Sequence, residues 1–328
     1  RLYLILQKER LDMARITMLQ STTTKTLGQA FDEFIKYCKI KNLSEHTISY
    51  YEFRFNEFTK WYAGDLKDIT EKVVNDYVLH LQSRDTINDV TVNTTMRALR
   101  VIFYYFMELG YIKKFKITLP RAEKKVKETY TDEELNLLLR KPNPNKCRFT
   151  EFRSWALVNF LLSTGVRIST AGNVLIGDLD FENGFIILTK MKNKRQHVIP
   201  MSTALEEVLI EYLKYRRGTD EDYLFCNQYG QGMTTDGLKQ AVKRYNRSRG
   251  VMRTSCHAFR HTFAKKYILA GGDMFRLQKI LGHSSLDMVR EYVNMFASDL
   301  QKDFDRFNPL DQLAGNKQPI SMKRGSRR

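Results

Sequence analysis

The chain has 328 residues, which at about 100–200 residues per domain favours two domains, and its 42% hydrophobic and 28% charged composition excludes disorder for its bulk. A formal net charge of +17 points to a polyanionic partner, nucleic acid first, because no apolar run approaches the roughly 18 residues of a membrane span. Cys38, Cys147, Cys226 and Cys256 are far apart and form no CxxC pair, which argues against zinc and against a disulfide framework.

In chain order, the apolar run Leu2–Leu6 is followed at once by Lys8, Glu9 and Arg10, unlike a signal peptide, so the expected location is cytoplasmic. Residues 1–25 read as an N-terminal extension, truncated or processed ahead of Arg1. Over 26–112 apolar residues recur at helical spacing, as in Phe31, Phe34, Ile35, then Ile48, Tyr51, Phe55, Phe58, then Val74, Tyr77, Leu81, then Leu99, Ile102, Phe103, Phe106. This predicts a four-helix unit, with Ser44 and Thr70 as N-caps. Residues 113–130 are a basic linker that includes Lys124 and Lys125.

A second domain is predicted over 131–310, opened by the capping box Thr131-Asp-Glu-Glu134. Its helices are expected near 150–163, 203–216, 235–248, 257–270 and 284–295, interrupted once by a short β meander over 178–200. Strands are predicted at Phe185–Thr189 and His197–Met201, joined by a turn at Asn193-Lys194-Arg195. After Tyr292, Ser298 reads as an N-cap, and Leu300, Phe304 and Phe307 form an apolar stripe suited to docking on a neighbouring protomer. Residues 311–328 are a basic tail. The fold class is therefore mainly α with a small antiparallel β meander.

Certain polar residues stand where a core would not want them. Arg167 follows directly on the apolar helix ending Phe160-Leu-Leu-Ser163, after the stop signal Gly165. His257 and Arg260, three apart, share one face of a helix. Leu281-Gly282-His283-Ser284 reads as helix end, turn and new N-cap, and Tyr292 lies nine residues beyond His283. Neither a P-loop nor an acidic cluster of the two-metal nuclease kind is present, which agrees with the chemistry that the resemblance given next implies, one that needs no metal or other cofactor.

Taken in order, TGVR, a lysine in a β turn, HAFRH, LGHSS and the tyrosine make the second domain similar to the catalytic domain of the tyrosine recombinase, or phage integrase, family. The resemblance places the family's first arginine on Arg167, its lysine on Lys192, its His-x-x-Arg on His257 and Arg260, its second histidine on His283 and its nucleophile on Tyr292. Spacing back from Pro200 selects Lys192 over Lys194. Leu43-Ser44-x-x-Thr47 followed by Tyr50 or Tyr51 resembles the family's helical core-binding domain. In one departure, Thr170 stands where family members often carry an acid three residues after the arginine.

The resemblance implies a helical core-binding domain joined to a mixed α/β catalytic domain. It implies a DNA strand-transferase that integrates or excises a mobile element, acting on double-stranded recombination sites as a homotetramer on two duplexes in a prokaryotic nucleoid. Thr47, Arg97, Arg100, Lys124, Lys125, Lys194 and Arg195 are the expected DNA-binding residues. The alternatives are a type IB topoisomerase using the same tyrosine attack and a non-catalytic architectural DNA-binding protein.

Overall fold

The computed structural model describes residues 25–121, 128–188 and 197–282. The chain divides into two compact units, residues 1–125 and 126–328, each with its own hydrophobic core.

The first unit comprises α1 (Leu27–Ile40), α2 (Glu45–Trp61), α3 (Glu71–Gln82) and α4 (Asp89–Glu108), with a 3₁₀ turn at Leu66–Asp68. Each α-helix starts on a side-chain cap: Thr26, Ser44, Thr70 and Asn88 accept the backbone N–H of the residue three positions on. Such caps satisfy N–H groups that the helix itself cannot. The apolar stripes meet around Phe58, whose ring packs edge-on against Tyr77 at 5.1 Å and Phe103 at 5.2 Å. Helix α4 begins well before the Leu99–Phe106 stripe because buried Val92 and Met96 extend that stripe backward and Asn88 supplies the cap.

In the second unit both arms of the predicted capping box are made: the Thr131 N–H donates to Glu134 Oε2 at 3.0 Å, and the Glu134 N–H to Thr131 Oγ1 at 3.2 Å. They open α5 (Asp132–Leu139). Helix α6 (Phe149–Thr164) is buried on every side through Phe152, Trp155, Leu157, Phe160 and Leu161, and therefore runs through the core. Around it pack α5, α8 (Thr203–Arg216), α9 (Thr235–Ser248) and α10 (Cys256–Leu269), while the short α7 (Ile168–Ala171) follows its C-terminus and α11 (Met274–Leu281) follows α10.

The sheet has β1 (Leu179–Asp180), β2 (Phe185–Leu188) and β3 (His197–Pro200) in that order, antiparallel throughout. Ile186 pairs with Leu179 on one side and Ile199 on the other, and Leu188 pairs with His197. Ile186, Leu188 and Ile199 point into the core, which fixes the register. The first strand was not anticipated, since two residues make no alternating pattern. The expected turn at 193–195, the helix at 284–295 and the stripe of Leu300, Phe304 and Phe307 lie outside the described residues.

All four cysteines are free thiols. Among the described residues no helix is long and apolar enough to cross a membrane.

Candidate active site

The site is built where α6 ends. Gly165 closes that helix in the left-handed region with φ 62°, and a Cβ at this position would collide with the Phe263 ring and with Leu281. Glycine is thus required twice, for the backbone conformation and for the approach of α10 and α11. The turn delivers Arg167 to the N-cap position of α7, half-buried, with its carbonyl accepting the Thr170 N–H at 2.8 Å.

Helix α10 brings the second arginine. Arg260 is 4% exposed, and its guanidinium donates from Nη1 to the Gly165 carbonyl and from Nη2 to the Leu281 carbonyl, each at 2.9 Å. Both acceptors belong to helix C-terminal turns, whose last carbonyls have no partner within their own helix and carry the negative end of the helix dipole. One cation therefore joins the ends of α6 and α11, and two of its five N–H donors go to these carbonyls. The start of α10 is anchored in turn by Tyr130. Its ring stacks on Phe259 at 4.3 Å, its N–H donates to Thr262 Oγ1 at 2.8 Å, and its hydroxyl reaches the Ser255 carbonyl at 3.2 Å.

His257 occupies the first turn of α10 and is exposed, with its ring stacked 6.4 Å from that of His261. Partial desolvation of the ring against its own domain lowers its pKa first, and the positive charges of Arg260, Arg167 and Lys239 lower it further. The direction has a plain consequence: the imidazole is held neutral beside two guanidinium groups, able to take a proton. Arg167, His257 and Arg260, expected together from the sequence, are thus within electrostatic reach of one another. Lys239 on α9 was missed. Its Nζ donates to Asp236 Oδ1 at 2.9 Å, and a lone lysine on an amphipathic helix carries no sequence signal that separates it from a solvated face.

Lys192, Lys194, Arg195, His283 and Tyr292 lie outside the described residues, as do Lys124 and Lys125. In the first unit Arg97 is exposed on α4 and Arg100 is half-buried. Thr47 acts locally, since its N–H and hydroxyl both engage Ser44 Oγ, at 3.3 and 2.9 Å, within the α2 cap. The neighbouring Tyr50 hydroxyl donates to the Thr94 carbonyl at 3.1 Å, tying α2 to α4. Among the described residues no group of three or more His, Cys, Asp or Glu side chains is placed to hold a metal ion.

The comparisons with known proteins agree with this architecture. The model of the phage integrase family matches residues 128–298, and that of the phage integrase N-terminal SAM-like domain matches residues 30–112. The tyrosine recombinase XerC of Thermodesulfovibrio yellowstonii is 26% identical over 299 residues, covering 85% of this chain and 96% of that protein. XerC of Staphylococcus aureus is 25% identical over 290 residues, covering 85% and 96%. Among solved structures, the Tn1549 transposon integrase in complex with transposon right end DNA aligns with a TM-score of 0.69 at 22% identity, covering 86% of this chain and 99% of that one. A lambda integrase tetramer bound to a Holliday junction aligns with a TM-score of 0.67 at 16% identity, covering 89% and 85%.

The chain belongs to the phage integrase family. It is a site-specific recombinase of the tyrosine class, with a helical SAM-like domain followed by a mainly helical catalytic domain that carries the three-stranded sheet.

Proposed function

We propose that this recombinase cuts duplex DNA with Tyr292, using Arg167, Arg260, His257, Lys192 and His283, and that it integrates or excises a mobile element. The observation that carries the reading is the convergence at the end of α6 of Arg260, bonded to the Gly165 carbonyl, of Arg167 two residues further on, and of His257, whose pKa both arginines lower. A phosphodiester attacked in line gains charge on its non-bridging oxygens, and arginine meets that charge as a permanently protonated planar donor. Arg167 and Arg260 form the clamp, and His283 adds a hydrogen bond to the phosphate.

The Tyr292 phenol is a weak nucleophile at its ordinary pKa of about 10, so His257 takes its proton as the oxygen attacks phosphorus. The bond from phosphorus to the 5′-oxygen breaks, and Lys192 gives that oxygen a proton. The product is a 3′-phosphotyrosine and a free 5′-hydroxyl. Attack by a 5′-hydroxyl from a second duplex reverses the step and conserves the bond, so no cofactor is consumed. Arg97 and Arg100, with Lys124, Lys125, Lys194 and Arg195, neutralise backbone phosphates, and Thr47 supports the DNA-facing start of α2. The active assembly is a homotetramer on two double-stranded sites.

A suicide substrate nicked beside the cleavage position tests the chemistry. The protein should be trapped covalently on it, and Tyr292→Phe should bind the same DNA with no adduct, since only the attacking oxygen is removed. An adduct that persists in Tyr292→Phe refutes the assignment. Strand exchange between two duplexes, scored in the same assay, separates recombination from relaxation of a single duplex.

A further inference from the structure

We propose that His197 is a positioning residue for DNA cleavage, fixing the helix end from which the chain runs on to His283 and Tyr292; this rests on the assignment of those two residues above. His197 opens β3, and its Nε2 lies 3.1 Å from the carbonyl oxygen of Ile280 in the last turn of α11. A carbonyl oxygen only accepts, so Nε2 carries the proton and the tautomer of the neutral ring is set. The next carbonyl, that of Leu281, accepts from Arg260 Nη2 at 2.9 Å. Two adjacent carbonyls at the end of α11 are therefore held by side chains from two other elements.

The tie matters because, among the described residues, α11 has only a small apolar footing. The helix has 8 residues, and its buried side chains, Leu277 and Leu281, pack with Ala264 in a satellite cluster, with half-buried Ile280 alone reaching the main core. A helix that short is marginal without tertiary support. β3 is the firmer partner, paired along its whole length with β2 and anchored by buried Ile199. The constraint therefore runs from the sheet to the helix end. Ile280 is next to Leu281, whose carbonyl holds the Arg260 guanidinium, and it precedes His283 by three residues and Tyr292 by twelve, so the helix end that His197 fixes is the one that holds the second arginine and lies just before the two assigned groups in the chain. Displacing a reacting group by about 1 Å costs on the order of 10²-fold in rate.

The test compares His197→Leu, which keeps bulk and loses the donor, with His197→Gln, whose side-chain N–H reaches about as far. Each is measured for site binding, melting and adduct formation on the nicked substrate, in normal form and with a 5′-bridging phosphorothiolate. The sulfur leaves without a proton, so that substrate removes the need for Lys192. The Leu variant should bind and melt like the parent yet form adduct at least about tenfold more slowly on both substrates. The Gln variant should recover most of the rate.

A Leu variant within twofold of the parent overturns the proposal. So does recovery of the Leu variant on the phosphorothiolate, which would place His197 on the lysine side of the reaction. A Gln variant as slow as Leu does the same, and if the Leu variant fails to fold, a folded Gln variant at least about tenfold slower than the parent on the normal substrate overturns the proposal. A parent that forms no adduct refutes the Tyr292 reading itself, whereas an active parent with an indifferent His197 refutes only the present inference.

Discussion

At the N-terminal end of α6, Arg153 is 3% exposed and donates from Nη1 to the Cys226 carbonyl at 3.0 Å, with Met233 Sδ 3.1 Å from the same nitrogen. At the C-terminal end Arg260 is 4% exposed and donates to the carbonyls of Gly165 and Leu281. Both are buried cations bonded to main-chain oxygen, so neither burial nor bonding distinguishes them. Their neighbours do. Arg153 lines a pocket with Ser154, Met233 and Arg244 and with no histidine, and its buried Nε has no hydrogen-bond partner among the described residues. Arg260 has Arg167 and a histidine held neutral within reach. The lesson is that a buried arginine with a second cation near it marks a site when a proton acceptor converges there as well, since Arg244 also acts on Arg153.

That contrast breaks most readily at the arginines of the C-terminal end. Arg167→Ala should slow adduct formation by about 10²–10³, the usual effect of losing one donor to transition-state charge. Arg260→Ala should lose at least as much and also lower the melting temperature, because two buried helix-end carbonyls lose their donor. Single-turnover adduct formation measured beside thermal melting separates the two effects. A rate loss under tenfold in either variant would show that the arginine is structural, as Arg153 is.

The opposite end should respond in the opposite way. Arg153→Met removes a buried charge that has no carboxylate partner among the described residues, and leaves the Cys226 carbonyl without this donor. These effects oppose one another, so the melting temperature should move modestly. Adduct formation per folded molecule should stay within twofold of the parent. A catalytic defect on the scale of Arg260→Ala would erase the distinction between the two ends.

Much of this was legible in the sequence where a feature is local. Ser44, Thr70 and Thr131 announce their helices because capping is a relation between residues three apart. His257 and Arg260 were paired by the same arithmetic, and Arg167 by its place after a glycine stop. What the sequence did not carry is long-range. That Arg260 joins the ends of α6 and α11 depends on Gly165 and Leu281, distant in the chain and brought together by packing. The burial of Arg153 follows from α6 being enclosed on all sides, which is a property of packing and not of the local sequence. The four-residue α7 and two-residue β1 are too short to show a period.

The smallest effect concerns the histidine. Its pKa is lowered by partial desolvation first, then by Arg260, Arg167 and Lys239 in that order. The folded protein therefore binds a proton at His257 less readily than the unfolded chain, whose histidine titrates at roughly 6.5. This stabilising contribution is present above that pH and is lost as pH falls through the folded value. If His257 takes the tyrosine proton, adduct formation must decline along the same acid limb. Lys239→Gln removes the weakest of the three positive influences and leaves both arginines in place, so the limb should move slightly upward while the plateau rate is kept. An NMR titration of the His257 ring in the free protein, set beside the pH profile of adduct formation, measures both. Arg153→Met should leave both curves where they are, because Arg153 is not among the charges that act on the ring. A limb that stays fixed in Lys239→Gln, or moves only in Arg153→Met, would mean that the base is not His257.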